Sequence, residues 1–340
     1  MRHRKLGPFA LLAGAGLLAG LLPGCGEEER EVEEITSDTL LPTVEAVLPE
    51  GAQAISFLGE PLYPPDLPEE VRARRNQQLE EALAELEQDP ESADALIWVG
   101  RRYAYLGEYR QAIQIFSLGV DFHPEDARFY RHRAHRYITV RELDNAIADF
   151  RKAVELVEGV PDEVEPDGQP NPLGIPTSTL HFNIWYHLGL AHYLKGDFGA
   201  AAEAYHRCME VSVHPDSQVA TAHWWYMTLR RLGRTEEARD LMQSLDLEAL
   251  ESDVIESGAY LDLLKLYAAS YEAPQEALPP LDPATLEGAT FGYGVGNFHL
   301  YNGRTEEARE VFERIVAARD QWAAFGYIAA EANLARMERE

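Results

Sequence analysis

Apolar and polar positions in this chain recur on two scales, one within helices and one between them. In "ADALIWVGRRYAYLGEYRQAIQIFSLGVDFHP", Ala93 to Pro124, apolar or small residues fall at Val99-Gly100, Tyr103, Ala112, Phe116 and Gly119. That spacing predicts two amphipathic helices joined by a turn near Gly107. Thirty-four residues later the pattern returns as Arg133-Ala134, Tyr137, Ala146, Phe150 and Ala153. A third copy has Trp185, Leu188-Gly189, Gly196, Phe198, Ala201, Tyr205 and Cys208; a fourth has Leu229, Gly233, Ala238 and Met242. The last complete copy has Gly296, Gly303, Ala308 and Phe312. "GRTEEAR" stands at Gly233–Arg239 and again at Gly303–Arg309, 70 residues apart. One hairpin cannot bury its apolar stripe alone, so the stack of hairpins is the core. Small residues at Gly100, Ala112 and Gly119 let paired helices approach closely, and Cys208 falls in such a slot, which predicts a packing role.

Several segments break the period. From Ser252 to Gly288 a degenerate unit is expected: "YLDLLKLYAASY" reads as a first helix, but Pro274, Pro279, Pro280 and Pro283 interrupt the second. Phe325 to Met337 predicts a final, solvating cap helix, and Asp66 to Gln88 an N-terminal helix with Pro68 in its first turn. Leu40 to Pro65 has no helical period and is expected to lie extended over the stack. The longest break, "EGVPDEVEPDGQPNPLGIPTSTL" from Glu158 to Leu180, holds five prolines and an acidic knot. That proline density predicts a fixed course.

The N-terminus has a different character. Arg2, Arg4 and Lys5 precede an apolar stretch from Leu6 to Leu22, and then "LPGC", Leu22 to Cys25. This resembles a bacterial lipoprotein signal and implies cleavage before Cys25 and lipidation there. An uncleaved anchor and an ordinary secretory signal are the alternatives. The expected location is the bacterial cell envelope, on the periplasmic face of the outer membrane if there are two membranes. The chain divides into a signal peptide (1–24), an acidic tether and extended segment (25–66), and an N-terminal helix with two repeats (67–158). The inserted loop (159–180), two repeats (181–251), a degenerate repeat (252–288) and a last repeat with a capping helix (289–340) follow.

The hairpin pattern resembles the tetratricopeptide repeat. "DEVEPDGQPN" and "GIPTSTLHFNIWYHLGLAHYLKGDF", with "YRHRAHRYIT" and "FGYIAAEA", resemble one bacterial family of such proteins from about Ser56 to Ala335. The resemblance implies an all-α tetratricopeptide-repeat superhelix of antiparallel helical hairpins with one long Pro-rich inserted loop. It implies no activity. It also implies that the first helix of each pair lines a concave groove. That would place there Arg101 and Tyr105, then Arg128, Arg131 and His135, then Tyr186 and Tyr193, His223 and Arg230, and Tyr293 and Asn297. His181 would stand at the junction of groove and loop.

Charge and chemistry narrow the partner. The formal net charge of −28 argues against nonspecific nucleic-acid binding. Yet "RFYRHRAHRY", Arg128 to Tyr137, gathers cations and aromatics. Arg128, Arg131 and His135 fall at i, i+3 and i+7 on one stripe, while Tyr130, Ala134 and Tyr137 form an apolar one. Two uses of the cations stay open. Asp162, Glu163, Glu165 and Asp167 could fold back to neutralise Arg128, Arg131 and Arg136, or the cations could hold a ligand carboxylate. No metal or cofactor is expected, because arginines flank His132 and His135 and "EVEPDG", Glu163 to Gly168, lacks the closing glutamate of a calcium loop. "GYGVG", Gly292 to Gly296, reads as close helix packing. No nucleophile elbow, HExxH or convincing carboxylate pair is present, which leaves the question of an enzyme open. The expected function is an envelope-anchored scaffold binding a peptide or protein partner through the Arg/Tyr/His-lined groove. The alternative is a small anionic ligand, or catalysis, between the groove and the 159–180 loop.

Overall fold

The computed structural model describes residues 48–270 and 285–339. Cys25 and its signal, the acidic tether and the prolines at 274, 279, 280 and 283 lie outside the described residues.

The chain opens as a strap in which β1 (Ala54–Ile55) pairs antiparallel with β2 (Pro61–Leu62). This small ladder is absent from the sequence pattern. Helix α1 (Glu69–Gln88) follows, with Pro68 as its N-cap and therefore no capping side chain. Then come hairpins: α2 (Ala93–Tyr105) with α3 (Tyr109–Phe122), and α4 (Ala127–Thr139) with α5 (Leu143–Val157). After the inserted loop come α6 (Leu180–Lys195) with α7 (Phe198–Val211), and α8 (Pro215–Arg231) with α9 (Thr235–Ser244). A five-residue turn of helix, α10 (Leu247–Glu251), leads to α11 (Gly258–Ser270). The chain closes with α12 (Leu286–Tyr301), α13 (Thr305–Ala317) and α14 (Phe325–Met337). This is an all-α superhelix of antiparallel hairpins with one long inserted loop.

Each hairpin turns at one left-handed residue. Gly107 (φ 85°), Gly196 (90°), Gly233 (72°) and Gly303 (77°) fill that slot, as the sequence spacing predicts. In the second repeat the slot holds Arg141 at φ 70°, a conformation unfavourable for a residue with a Cβ.

The hairpins have unlike inner and outer helices. Outer helices bury one narrow stripe; α9 buries Ala238, Leu241 and Met242, and α13 buries Ala308, Phe312 and Ile315. The inner helix α6 buries 13 of its 16 residues. Helix α14 buries every residue from Gly326 to Ala335, packing on α12 and α13 and reaching α6. It is thus an inserted core helix, where a cap with a wet outer face was expected. Its small residues allow this. A Cβ on Gly326 would lie 2.4 Å from the Ala289 carbonyl oxygen and 2.8 Å from its carbon. Backbone cannot swing aside as a side chain can. Gly326→Ala is expected to cost about 1–3 kcal/mol in denaturant unfolding, whereas Gly258→Ala, with nothing near its Cβ position, should cost little. Equal midpoints for the two variants would contradict this packing.

Cys208 has no exposed surface, and burial pushes its thiol up to about 12. Its Sγ rests 3.2 Å from Thr221 Oγ1.

Candidate functional site

Helix α4 sorts its side chains by face. Asp126 caps it by accepting the Arg128 N–H at 3.0 Å. Phe129, Ala134 and Ile138 have no exposed surface and join the core. Tyr130 is buried too and Tyr137 half-buried, and between them Arg133 reaches Asp149 of α5 through two bonds of 2.7 and 2.8 Å. Arg128 pairs at the rim with Asp126 (2.6 Å) and Asp94 (2.8 Å), and the Asp126 bond holds its pKa above the ordinary value. The other four turn elsewhere: Arg131 toward the inserted loop, His132 onto Phe116 of α3, His135 onto His187 of α6, and Arg136 over Tyr109 of α3.

The inserted loop lies on this inner face as a strap. Its ends are tied by Glu165 N–H to the Ser178 carbonyl (3.2 Å) and Leu180 N–H to the Glu163 carbonyl (2.9 Å). Between them, Glu165 Oε2 stands 2.9 Å from Arg131 Nε, an ion pair without hydrogen-bond alignment, and accepts from Asn183 Nδ2 at 3.1 Å. Arg101 donates to the Pro166 carbonyl at 2.8 Å and Arg102 to the Gly168 carbonyl at 3.4 Å. Arg75 donates to Gln169 Oε1 at 3.1 Å. At Gly168 a Cβ would fall 2.0 Å from the Tyr105 hydroxyl, so the strap backbone is pressed against α2. Asp162 takes a different part, accepting the His181 N–H at 2.9 Å beside the N-terminus of α6. A cavity of about 200 Å³ remains beneath the strap, lined by Trp98, Arg101, Arg128, His132, Glu165 and Pro166 among others.

The electrostatics here are lopsided. Arg131 is 7% exposed, and burial lowers its pKa despite Glu165. Arg136 is pushed down to about 10 by burial, with Arg131 and Arg101 adding repulsion; its guanidinium lies over the Tyr109 ring at 5.6 Å. Among the described residues neither Arg101 nor Arg136 forms an ion pair. His132, His135 and His187 are all held well below the usual imidazole range, first by burial and then by nearby arginines. For His132, Glu165 at 3.9 Å pulls the other way and is outweighed. The His135 and His187 rings meet at 4.4 Å between centroids, with Phe325 of α14 against both at 5.4 Å.

The expected groove residues therefore part company. Arg101, Tyr105 and Arg131 face the strap side together, with Arg128 and His181 at its edge, while His135 packs between His187 of α6 and Phe325 of α14. Tyr186, His223, Tyr293 and Asn297 were expected on an accessible wall and are instead enclosed. His223, Tyr293 and Asn297 have no exposed surface and Tyr186 has 5%. The reason is that α11, α12 and α14 fill the concavity. The Tyr186 hydroxyl meets that of Tyr260 at 3.2 Å, and Tyr293 meets Tyr193 at 2.7 Å. His223 stacks on Tyr267, and burial pushes its pKa down to about 3. Arg230 remains at the surface, over the Tyr301 ring at 4.3 Å. The sequence reading missed Arg75, Arg102 and Asn183 as strap contacts. No group of three or more His, Cys, Asp or Glu arranged to hold a metal occurs among the described residues.

No curated protein matches the chain. Among solved structures, MamA shares 16% identity over 61% of this chain and 98% of that one, with a TM-score of 0.40. YrrB, described as a TPR protein with an unusual peptide-binding site, shares 15% over 71% of this chain and 93% of its own, with a TM-score of 0.39. The Cut9–Hcn1 hetero-tetramer of the APC/C shares 16% over 73% of this chain and 44% of that one, with a TM-score of 0.46. The tetratricopeptide-repeat family model matches residues 182–212. That span is the hairpin of α6 and α7, so the architecture of this chain is a tetratricopeptide-repeat superhelix.

Proposed function

We propose that the chain is an envelope-anchored scaffold that binds a peptide or protein partner through an extended acidic segment laid on the α2–α4–α6 face. One observation carries the reading: the face already holds such a segment, its own strap. The strap is gripped through a carboxylate (Glu165) and main-chain carbonyls (Pro166 and Gly168), groups that any acidic extended peptide offers. Guanidinium suits both. Arg101 and Arg136 bring further positive charge to which a partner's additional acid could pair. The cavity under the strap is smaller than the roughly 300 Å³ at which small-molecule sites usually begin, which favours exchange of a segment over an enclosed small ligand. Histidines held neutral by burial are poor proton acceptors near neutrality, which favours binding over acid–base chemistry.

In this reading the strap competes with the partner from within the molecule, at an effective concentration of about millimolar. Replacing residues 161–176 by a Gly/Ser linker removes the competitor. A fluorescent peptide of the sequence 161–171 is then expected to bind saturably, more weakly at high salt and more weakly again with Glu165→Gln in the peptide. A folded strap-less chain that shows no saturable binding would refute the reading. The anchor rests on "LPGC". Cys25→Ser is expected to move the protein from the membrane pellet to the soluble fraction, with loss of lipid mass; unchanged fractionation and mass would refute it.

A further inference from the structure

A second set of arginines gathers where α6, α8, α12 and α14 meet. Arg231 Nη1 donates to Asn297 Oδ1 at 3.2 Å and to Asn333 Oδ1 at 2.9 Å. Arg336 Nη2 donates to the same Asn333 oxygen at 3.0 Å, and its Nη1 donates to the Leu194 carbonyl at 2.9 Å. Two guanidinium groups thus converge on one neutral oxygen. Burial lowers the Arg336 pKa, and the positive charge of Arg231 adds to the lowering. Among the described residues neither arginine forms an ion pair.

The floor behind them is also rich in donors. Asn297, Asn333, Tyr193 and Tyr293 are each at most 1% exposed. Asn297 must turn Oδ1 toward Arg231, which leaves its enclosed Nδ2 without an acceptor; Arg336 Nε is likewise without one. Asn333 Nδ2 donates to the Tyr293 hydroxyl at 2.9 Å, and that hydroxyl meets Tyr193 at 2.7 Å. The tyrosine pair uses one hydroxyl proton between its members and has a second to give. Enclosed donors without acceptors are unfavourable, and two guanidinium groups sharing a neutral acceptor repel. An oxyanion answers both, because it brings several lone pairs and a negative charge. Arg231 and Arg336 are partly exposed, so the junction opens to solvent at the arginines and is closed behind them.

We propose that this junction is an oxyanion-binding site, taking a carboxylate or phosphate group between Arg231 and Arg336 with the Asn297 amide behind. It is independent of the strap. Isothermal titration of the full chain with sodium phosphate and, separately, sodium succinate, at ionic strength held constant with chloride, tests it. Saturable binding of at least one is expected, and whichever binds identifies the oxyanion. Arg231→Gln should weaken it by about tenfold or more, and Arg231→Lys, which keeps the charge and loses the fork, by less. Asn297→Leu removes the inner donor and the oxygen that Arg231 bonds while keeping both arginines, and should also weaken binding. It carries the test if circular dichroism finds Arg231→Gln misfolded. Saturation by neither anion, or wild-type affinity in folded Arg231→Gln or Asn297→Leu, overturns the proposal.

Discussion

Replacing Glu331 by alanine is expected to lower unfolding free energy by about 3–5 kcal/mol. Glu331 is 1% exposed at the middle of α14. Its Oε2 meets Arg141 Nη2 at 2.7 Å, and its Oε1 accepts from Arg141 Nε at 3.2 Å and from the Phe57 N–H at 2.5 Å. Arg141 also donates to the Trp322 carbonyl at 2.9 Å. One carboxylate thus joins the N-terminal strap, the α4–α5 turn and the C-terminal helix, with Phe57 and Glu331 274 positions apart in sequence. Removing it leaves an enclosed guanidinium uncompensated. The pair also explains why arginine occupies a glycine slot: its left-handed backbone costs roughly 1–2 kcal/mol, less than the pair would lose. Arg141→Gly should therefore destabilise even though it relieves the backbone. The double variant should lose less than the two single losses combined. Denaturant midpoints at constant slope measure all three. Single variants within about 0.5 kcal/mol of wild type would mean that the ring is not closed by this pair.

Acid should unfold the protein early. In the unfolded chain each histidine titrates near 6.5, but folded His132, His135 and His187 are held well below that and His223 at about 3. Between those limits the unfolded state binds more protons. Stability is therefore full above about pH 6.5 and falls as pH drops below it, by up to about 1.4 kcal/mol per pH unit for each histidine. For His223 that window extends down to about pH 3. Arg131, Arg101 and Arg136 face the His132–His135 group and deepen the effect, while Glu165 opposes it at His132. His223 Nε2 has no hydrogen-bond partner and its Nδ1 has only a long contact of 3.4 Å with the Tyr267 hydroxyl, so His223→Phe should retain most of the stability at pH 7.5 and make the decline toward pH 5 shallower. A thermal midpoint that is flat between pH 7.5 and 5 would contradict the buried, neutral histidines.

The repeat was legible because helix pairing leaves a fixed trace. A glycine faces an aromatic across three of the hairpins, as Gly100 faces Phe116, Gly189 faces Tyr205 and Gly296 faces Phe312, and a glycine takes the turn in all but the second repeat. The apolar stripe of α4 follows the same spacing, with Tyr130 and Ala134 buried. What could not be read was the closure of the stack. Arg141 and Glu331 are 190 positions apart, and no local spacing joins them. A signal for the filled groove was nonetheless present. Helices α6 and α14 spread apolar and small residues round most of their circumference and leave no continuous polar face, the mark of a helix with little wet surface. The groove register assigned Tyr186, Tyr293 and Asn297 an exposed wall that these compositions argued against. The strap's proline density pointed to a fixed course, but its grip lies mostly in main-chain carbonyls, which leave no trace in residue type.

Hydrogen exchange on the strap tests the central claim most directly. In the wild-type chain the amides of Glu165 and Leu180 are bonded to Ser178 and Glu163 and should exchange slowly. A large excess of the 161–171 peptide is expected to displace the strap, so that these two amides lose protection. The α4 amides should keep theirs. Peptide that binds while the strap stays fully protected would place the partner surface elsewhere and contradict the account.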